Sequence, residues 1–177
     1  MDSSADLGWA IVRAQAGDRD ALETVLVAAR AVASGVARRI ALDAADDVVQ
    51  EVLWIVARKL PWLDEPDAFR AWVYRIAARE ATRHAGRERR RWWVRPLEDV
   101  ERLRVEDAPV ANALVDAIPG LLAQVSPRSR AVLVLHYLDE IPLERVAAML
   151  GIPLGTVKSR LAYGLRAIRR ALAEGSS

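Results

Sequence analysis

LERVAAMLGIPLGTVKSRLAYGLRAIRRAL, residues 143–172, reads as a helix, a glycine turn and a second, basic helix. Ala147 stands where two helices must approach closely. Gly151, four residues on, can take a left-handed turn without a Cβ penalty, and Val157 closes the core between the helices. Val157, Leu161, Leu165, Ile168 and Leu172 then recur at helical spacing as an apolar stripe. Thr156, Ser159, Tyr163, Arg166 and Arg170 fall on the opposite side, with Lys158 and Arg160 at its flanks. Such a face can donate to phosphates and base edges in a DNA major groove. The pattern predicts a helix-turn-helix, and the plainer alternative is an amphipathic hairpin with a solvated basic side.

Outward from this motif nearly every segment has a helical pattern, and no period-2 stretch marks a strand. Ser126 and Pro127 suit an N-cap and a first helical position, and another helix is expected before them, over about 111–125. Nearer the N-terminus the spacing predicts helices over 7–16, closed by Gly17, from Asp20 toward Ile40, and over 44–60, stopped by Pro61. A fourth starts near Asp67 and continues into an arginine-rich stretch. Residues 92–110, WWVRPLEDVERLRVEDAPV, break the pattern with two prolines and a shift to acidic residues. The expected fold is all-α: a disordered start over 1–6, a helical domain over 7–91, an acidic linker over 92–110 and a second small domain over 111–174, which holds the helix-turn-helix.

At 53% hydrophobic residues the chain is apolar enough for packed cores, which excludes a disordered chain. The absence of cysteine removes disulfides, thiolate metal sites and cysteine nucleophiles. No apolar run approaches the roughly 18 residues that span a bilayer, and the start lacks the parts of a signal peptide. A cytoplasmic protein without membrane insertion is expected. With only His84 and His136, no glycine-rich phosphate loop and no HExxH-like spacing, neither catalytic residues nor a metal or cofactor is expected. The net charge of +2 conceals a sorting of charge. Seven acidic residues stand from Asp43 to Asp67 against Arg58 and Lys59, whereas nine arginines from Phe69 to Arg95 face only Glu80 and Glu88. Blocks of opposite sign point to different partners, one of them polyanionic.

The third and fourth helices carry these blocks. Val49, Val52, Leu53, Val56 and Leu60 form the inward stripe of the third, leaving Asp47, Gln50, Glu51, Trp54 and Arg58 outside. Carboxylates alone on such a face are ordinary solvation, but a Trp bordered by charge is a frequent anchor of a protein interface. The fourth helix is expected to bury Phe69, Trp72, Val73, Ile76 and Ala77. Arg75, Arg79, Arg83, Arg87 and Arg91 then recur every fourth residue, with no large apolar residue between Ile76 and Trp92. That helix must run beyond its domain or break near Gly86, as a basic projection suited to a phosphate backbone.

GDRDALETVL, DAADDVVQEVLWIVARKL, FRAWVYRIA and LDEIPLERVAAMLGIPLGTVKSRL, in this order, resemble the extracytoplasmic-function sigma factors of bacterial RNA polymerase. The resemblance implies a non-enzymatic protein that binds core RNA polymerase and directs promoter recognition, DNA melting and initiation. It implies that Asp46, Asp47, Gln50 and Glu51 dock on the clamp helices of the largest polymerase subunit, beside Trp54. It assigns the loop from Pro61 to Ala68 and the start of the fourth helix to capture of a flipped base. On this basis Arg75, Arg79, Arg83 and Arg87 are candidate contacts to the minus-10 element, and Thr156, Lys158, Ser159, Arg160 and Tyr163 to minus-35. The implied partners are core polymerase, promoter DNA and, where one exists, an anti-sigma factor. The chain departs from the family at Arg79, where Asn is common, and at Arg83, where Asp is common. It departs also at Pro153, in place of an N-cap Ser, and at Ala162 and Tyr163. A helix-turn-helix regulator acting without polymerase is the alternative, and it leaves the acidic face with Trp54 unexplained.

Overall fold

The computed structural model describes the backbone of residues 3–92 and 118–174 and the side chains of residues 6–84 and 120–173. Among the described residues every regular element is helical. The helices are α1 (Ser3–Gln15), α2 (Arg19–Ile40), α3 (Ala45–Lys59), α4 (Phe69–Trp92), α5 (Ile118–Ala123), α6 (Pro127–Leu133), α7 (Leu143–Leu150) and α8 (Leu154–Glu174). The chain divides into two compact units, Met1–His84 and Ala85–Ser177. No helix among the described residues is long and apolar enough to cross a membrane.

The first unit follows from three- and four-residue periodicity. On α2, Ala21, Val25, Ala29, Ala33, Val36, Ala37 and Ile40 are buried, four of them alanines, so that α3 packs closely along it. α3 answers with Val48, Val49, Val52 and Val56, α1 contributes Ile11, and α4 contributes Phe69, Val73, Ala77, Ala78 and Ala81. Each buried Val, Ile or Phe contributes about 1.5–3 kcal/mol. Asp18 caps α2 by accepting the Ala21 N–H at 3.0 Å, and its carboxylate also takes the Arg13 Nε–H at 2.9 Å. Gly17 makes the preceding turn at φ +94°, a backbone angle that costs glycine nothing. Gln15 ties α1 to the segment after α3, donating through Nε2 to the Leu60 and Leu63 carbonyls at 2.9 and 2.8 Å.

Several expectations need correcting here. α1 begins at Ser3, so residues 3–6 form its first turn rather than a disordered start. Val48, not Leu53, completes the inward stripe of α3, and Leu53 is half-buried. Trp72 and Ile76 are also half-buried, because the close packing around α4 runs through its alanines. α4 passes Gly86 without a break and takes in Trp92, the first residue of the expected linker. The rest of that linker lies outside the described residues, as do residues 111–117.

In the second unit short helices are joined by side-chain and backbone caps. Ser126 accepts the Arg130 N–H through its carbonyl at 2.8 Å, opening α6 at Pro127 as its sequence requires. Arg130 itself is buried, although it stands in an apolar run. Its guanidinium donates to the carbonyls of Leu122, Ala123 and Val125 at 2.7, 3.5 and 2.9 Å, satisfying the end of α5 and the turn into α6. A π-helical turn over Val134–Leu138 follows α6, and His136 Nδ1 meets the Ile141 carbonyl at 2.9 Å. α7 ends at Gly151, whose φ of +65° is the left-handed cap expected from sequence. Val157 and Leu161 are buried, but Leu165 and Ile168 are only half-buried and Leu172 is 40% exposed. Gly164 takes their place in the stripe: a Cβ there would lie 2.7 Å from Leu133 Cδ1 and 3.4 Å from Ser129 Cβ. α6 and α8 therefore meet where a side chain is missing.

Candidate functional site

Three faces carry the candidate residues. The first is the outer side of α3, which the buried valines fix by elimination. Asp46, Asp47 and Gln50 are exposed along it, Glu51 is half-exposed, and Trp54 is 58% exposed. The Arg58 guanidinium lies 5.2 Å from the Trp54 ring centroid, so the ring keeps one cation–π neighbour and leaves the rest of its surface to water. Asp46 and Asp47 also occupy the first turn of α3, where the helix dipole favours negative charge. A ring of this size in water beside carboxylates offers an apolar anchor and a charged rim together.

The second face lies on α4 and the segment that leads to it. Arg75, Arg79 and Arg83 are exposed, as the four-residue spacing predicts, and the Arg87 side chain lies outside the described residues. Arg83 is not presented to solvent alone: its guanidinium pairs with Glu51 of α3 at 3.2 Å and with Glu80 one turn back on α4. The structure thus joins two residues that sequence reasoning assigned to different partners. Trp62, which lies in the loop assigned to base capture but was not singled out there, is 73% exposed between Leu60 and Leu63, the residues held by Gln15. Its signal in the sequence is a Trp following Pro61 inside an otherwise acidic loop.

The third face is the solvent side of α8. Lys158 and Arg166 are exposed, while Thr156, Ser159, Arg160 and Tyr163 are half-buried. The Ser159 hydroxyl donates to the Thr156 carbonyl at 3.0 Å, which holds it against the helix. The Tyr163 hydroxyl is buried without a hydrogen-bond partner, so this residue presents its ring rather than its oxygen, with the Arg166 guanidinium 5.2 Å from the ring centroid. Arg160 is held below the ordinary arginine range by its own burial and, secondarily, by the neighbouring Arg128 guanidinium. Among the described residues no group of histidines and carboxylates is arranged to hold a metal ion.

Comparison with known proteins covers both units. Residues 26–91 match the family described as Sigma-70 region 2, and residues 121–170 match Sigma-70, region 4. The chain is 30% identical over 174 residues to the ECF RNA polymerase sigma-E factor of Escherichia coli (strain K12), covering 89% of this chain and 90% of that one. It is 28% identical over 140 residues to the ECF RNA polymerase sigma factor SigW of Bacillus subtilis (strain 168), covering 72% of this chain and 75% of that one. Among solved structures, CnrH in complex with the cytosolic domain of CnrY shares the fold at a TM-score of 0.55 and 21% identity, over 97% of this chain and 99% of that one. The sigma factor RpoE in complex with the anti-sigma factor NepR from Bartonella quintana shares it at a TM-score of 0.50 and 24% identity, over 88% and 96%.

Proposed function

The chain belongs to the ECF sigma factors of RNA polymerase, and from that premise we propose a division of labour among its three faces. The family function is promoter recognition and initiation by RNA polymerase, without enzymatic chemistry. On our reading the domain over residues 7–91, with the first turn of α1 added, binds core polymerase and the minus-10 element, and the domain over 111–174 binds minus-35. The clamp helices of the largest polymerase subunit receive Asp46, Asp47, Gln50, Glu51 and Trp54. The observation that carries this assignment is the exposure of Trp54 within a row of carboxylates.

Arg75, Arg79 and Arg87, with Trp62 in the preceding segment, face melted minus-10 DNA. Arg83 joins them only by leaving Glu51 and Glu80. Opening of the strands then draws on binding energy at these residues, since extruding a base costs a few kcal/mol and nothing in the family function supplies ATP hydrolysis. On α8 the phosphate contacts fall to Lys158 and Arg160, while Thr156, Ser159 and Tyr163 shape the groove-facing surface. An anti-sigma protein is a proposed partner, by similarity to structures that contain CnrY's cytosolic domain and NepR. The cytoplasm is the proposed place of action.

Run-off transcription with purified core polymerase tests the reading. Asp47→Arg combined with Trp54→Ala should abolish specific transcripts through weakened core binding, with helical circular dichroism unchanged. Full core binding by that variant would return the face to ordinary solvation.

A further inference from the structure

Trp62 is placed by the backbone on either side of it. At 73% exposed the ring gains little hold from packing of its own, and the residues that fix it are its neighbours Leu60 and Leu63. The Leu60 side chain is buried and anchors one end of the turn. Its carbonyl accepts the Leu63 N–H at 3.1 Å, which closes the 3-10 turn Leu60–Trp62 around Pro61, a residue with no N–H of its own to satisfy. Gln15 of α1 then uses both hydrogens of its amide nitrogen, donating to the Leu60 carbonyl at 2.9 Å and to the Leu63 carbonyl at 2.8 Å. One side chain, 45 and 48 residues away in sequence, therefore holds the backbone before and after Trp62. α1 also runs beside the second short turn of the segment, Pro66–Ala68, where a Cβ on Gly8 would lie 4.0 Å from Pro66 Cβ. Gly8 and Gln15, about two turns apart, share one side of α1, and that side carries the segment from Leu60 to Ala68.

A base that stacks on an aromatic ring gains affinity only while the ring stands where the strand passes. The measured affinity falls with the fraction of time that the ring is elsewhere. A turn free to swing about Leu60 would spread an exposed ring over many positions, whereas a turn held through the carbonyls on both sides presents it in one. We propose that Gln15 is a positioning residue for promoter opening, its paired bonds holding the Trp62 ring ready to stack on a base of the melted minus-10 strand. α1 thereby serves DNA capture without touching DNA. The inference rests on the reading of Trp62 as a minus-10 contact, and it adds the residue that sets the ring's place.

The test uses holoenzyme reconstituted from purified core polymerase and the full chain, with a fluorescein-labelled single strand of mixed sequence followed by anisotropy. Stacking tolerates any base, so a mixed sequence serves. Affinity for core polymerase is measured separately for every variant. Trp62→Ala should weaken strand binding about tenfold, within the range for one stacked base. Gln15→Met removes both donors and should weaken it about threefold, the loss for a ring in place roughly one-third of the time, with core affinity unchanged. Gln15→Glu, similar in size and without donors when ionised, should do the same. Adding Trp62→Ala to either Gln15 variant should give the binding of Trp62→Ala alone, because there is then no ring to place. Multiplied losses, about thirtyfold in all, would show that Gln15 acts elsewhere and would overturn the proposal. Wild-type strand binding by either Gln15 variant, beside a weakened Trp62→Ala, would overturn it too while leaving Trp62 on the DNA. Core affinity that fell in step with strand affinity would reduce Gln15 to general support of its unit, which again overturns the proposal. Strand binding unchanged by Trp62→Ala would sink the minus-10 reading of Trp62 and the proposal together.

Discussion

The two units pack helices of different kinds by different means. α1, α2 and α3 are 13, 22 and 15 residues long, and their regular stripes of Ala, Val and Ile bury one another with few polar devices. α5, α6 and α7 are 6, 7 and 8 residues long, below the length at which a helix holds itself in water. Besides buried apolar side chains such as Leu122, Val132, Leu135 and Val146, they are fastened by Arg130 on three carbonyls, His136 on the Ile141 carbonyl, and the left-handed turn at Gly151. Redundant apolar contacts tolerate the loss of any one. A fastening made by a few particular atoms does not, and the orientation of α8 depends on fastenings of that second kind.

The largest effect should therefore come from the second unit. Arg130→Met keeps the length of the side chain but removes the guanidinium from the Leu122, Ala123 and Val125 carbonyls, of which Leu122's keeps the Val125 N–H, and should cost that unit about 3 kcal/mol. Hydrogen exchange followed by mass spectrometry on the full chain should show α5, α6 and α8 losing protection while α2 and α3 keep theirs. Equal losses in both units would break the comparison, since it would mean that they unfold together.

Gly164→Ala sharpens the contrast at one atom. The added methyl meets Leu133, which is itself buried, so the crossing of α6 and α8 must open. A cost of about 1–3 kcal/mol is expected, again confined to the second unit in exchange. Gly35→Ala on α2 makes a useful control, because its added methyl meets nothing within 4 Å. It should be neutral or slightly stabilising, through the better helix propensity of alanine. A Gly164→Ala variant as stable as wild type would show that Leu133 has room to move.

The smallest expected effect lies in the first unit, at Asp18. The Ala21 N–H, followed by the Arg13 guanidinium, holds its carboxyl below the ordinary value. A depressed carboxylate contributes stability that is fully present above its unfolded pKa and is lost as pH falls through the folded one. Asp18→Asn keeps a good N-cap but cannot titrate. Wild type should thus be the more stable of the two at neutral pH, with the advantage disappearing below about pH 4. The gap should narrow with salt, because Arg13 is exposed and the carboxylate is in part open to water. A gap that persisted unchanged into acid would rule out the ion as its source.

Periodicity carried the reading of α2, α3 and the helix-turn-helix, because long amphipathic helices and a left-handed glycine leave marks at fixed offsets. It also set the exposed row from Asp46 to Trp54, which follows once the valines are known to face inward. What it missed depends on contacts distant along the chain. Leu53 and Val48 have similar claims on the core, and the choice between them belongs to the surface of α2. Leu172 continues the stripe of α8 to a position where it is 40% exposed. Arg130 looks like a solvated cation until three carbonyls are brought around it, and Tyr163 looks like a hydroxyl donor until its oxygen is found buried.

The ion pair between Arg83 and Glu51 has a thermodynamic consequence. A partner that takes Glu51 must first separate it from Arg83, and a partner that takes Arg83 must first separate it from Glu51. Whichever arrives first has then met that cost for the second, so two ligands on opposite sides of the bridge would favour each other without touching. Because a pair this exposed is worth at most about 1 kcal/mol, the mutual gain is bounded at about fivefold in affinity. Within that bound, reciprocity requires each ligand to tighten the other by the same factor.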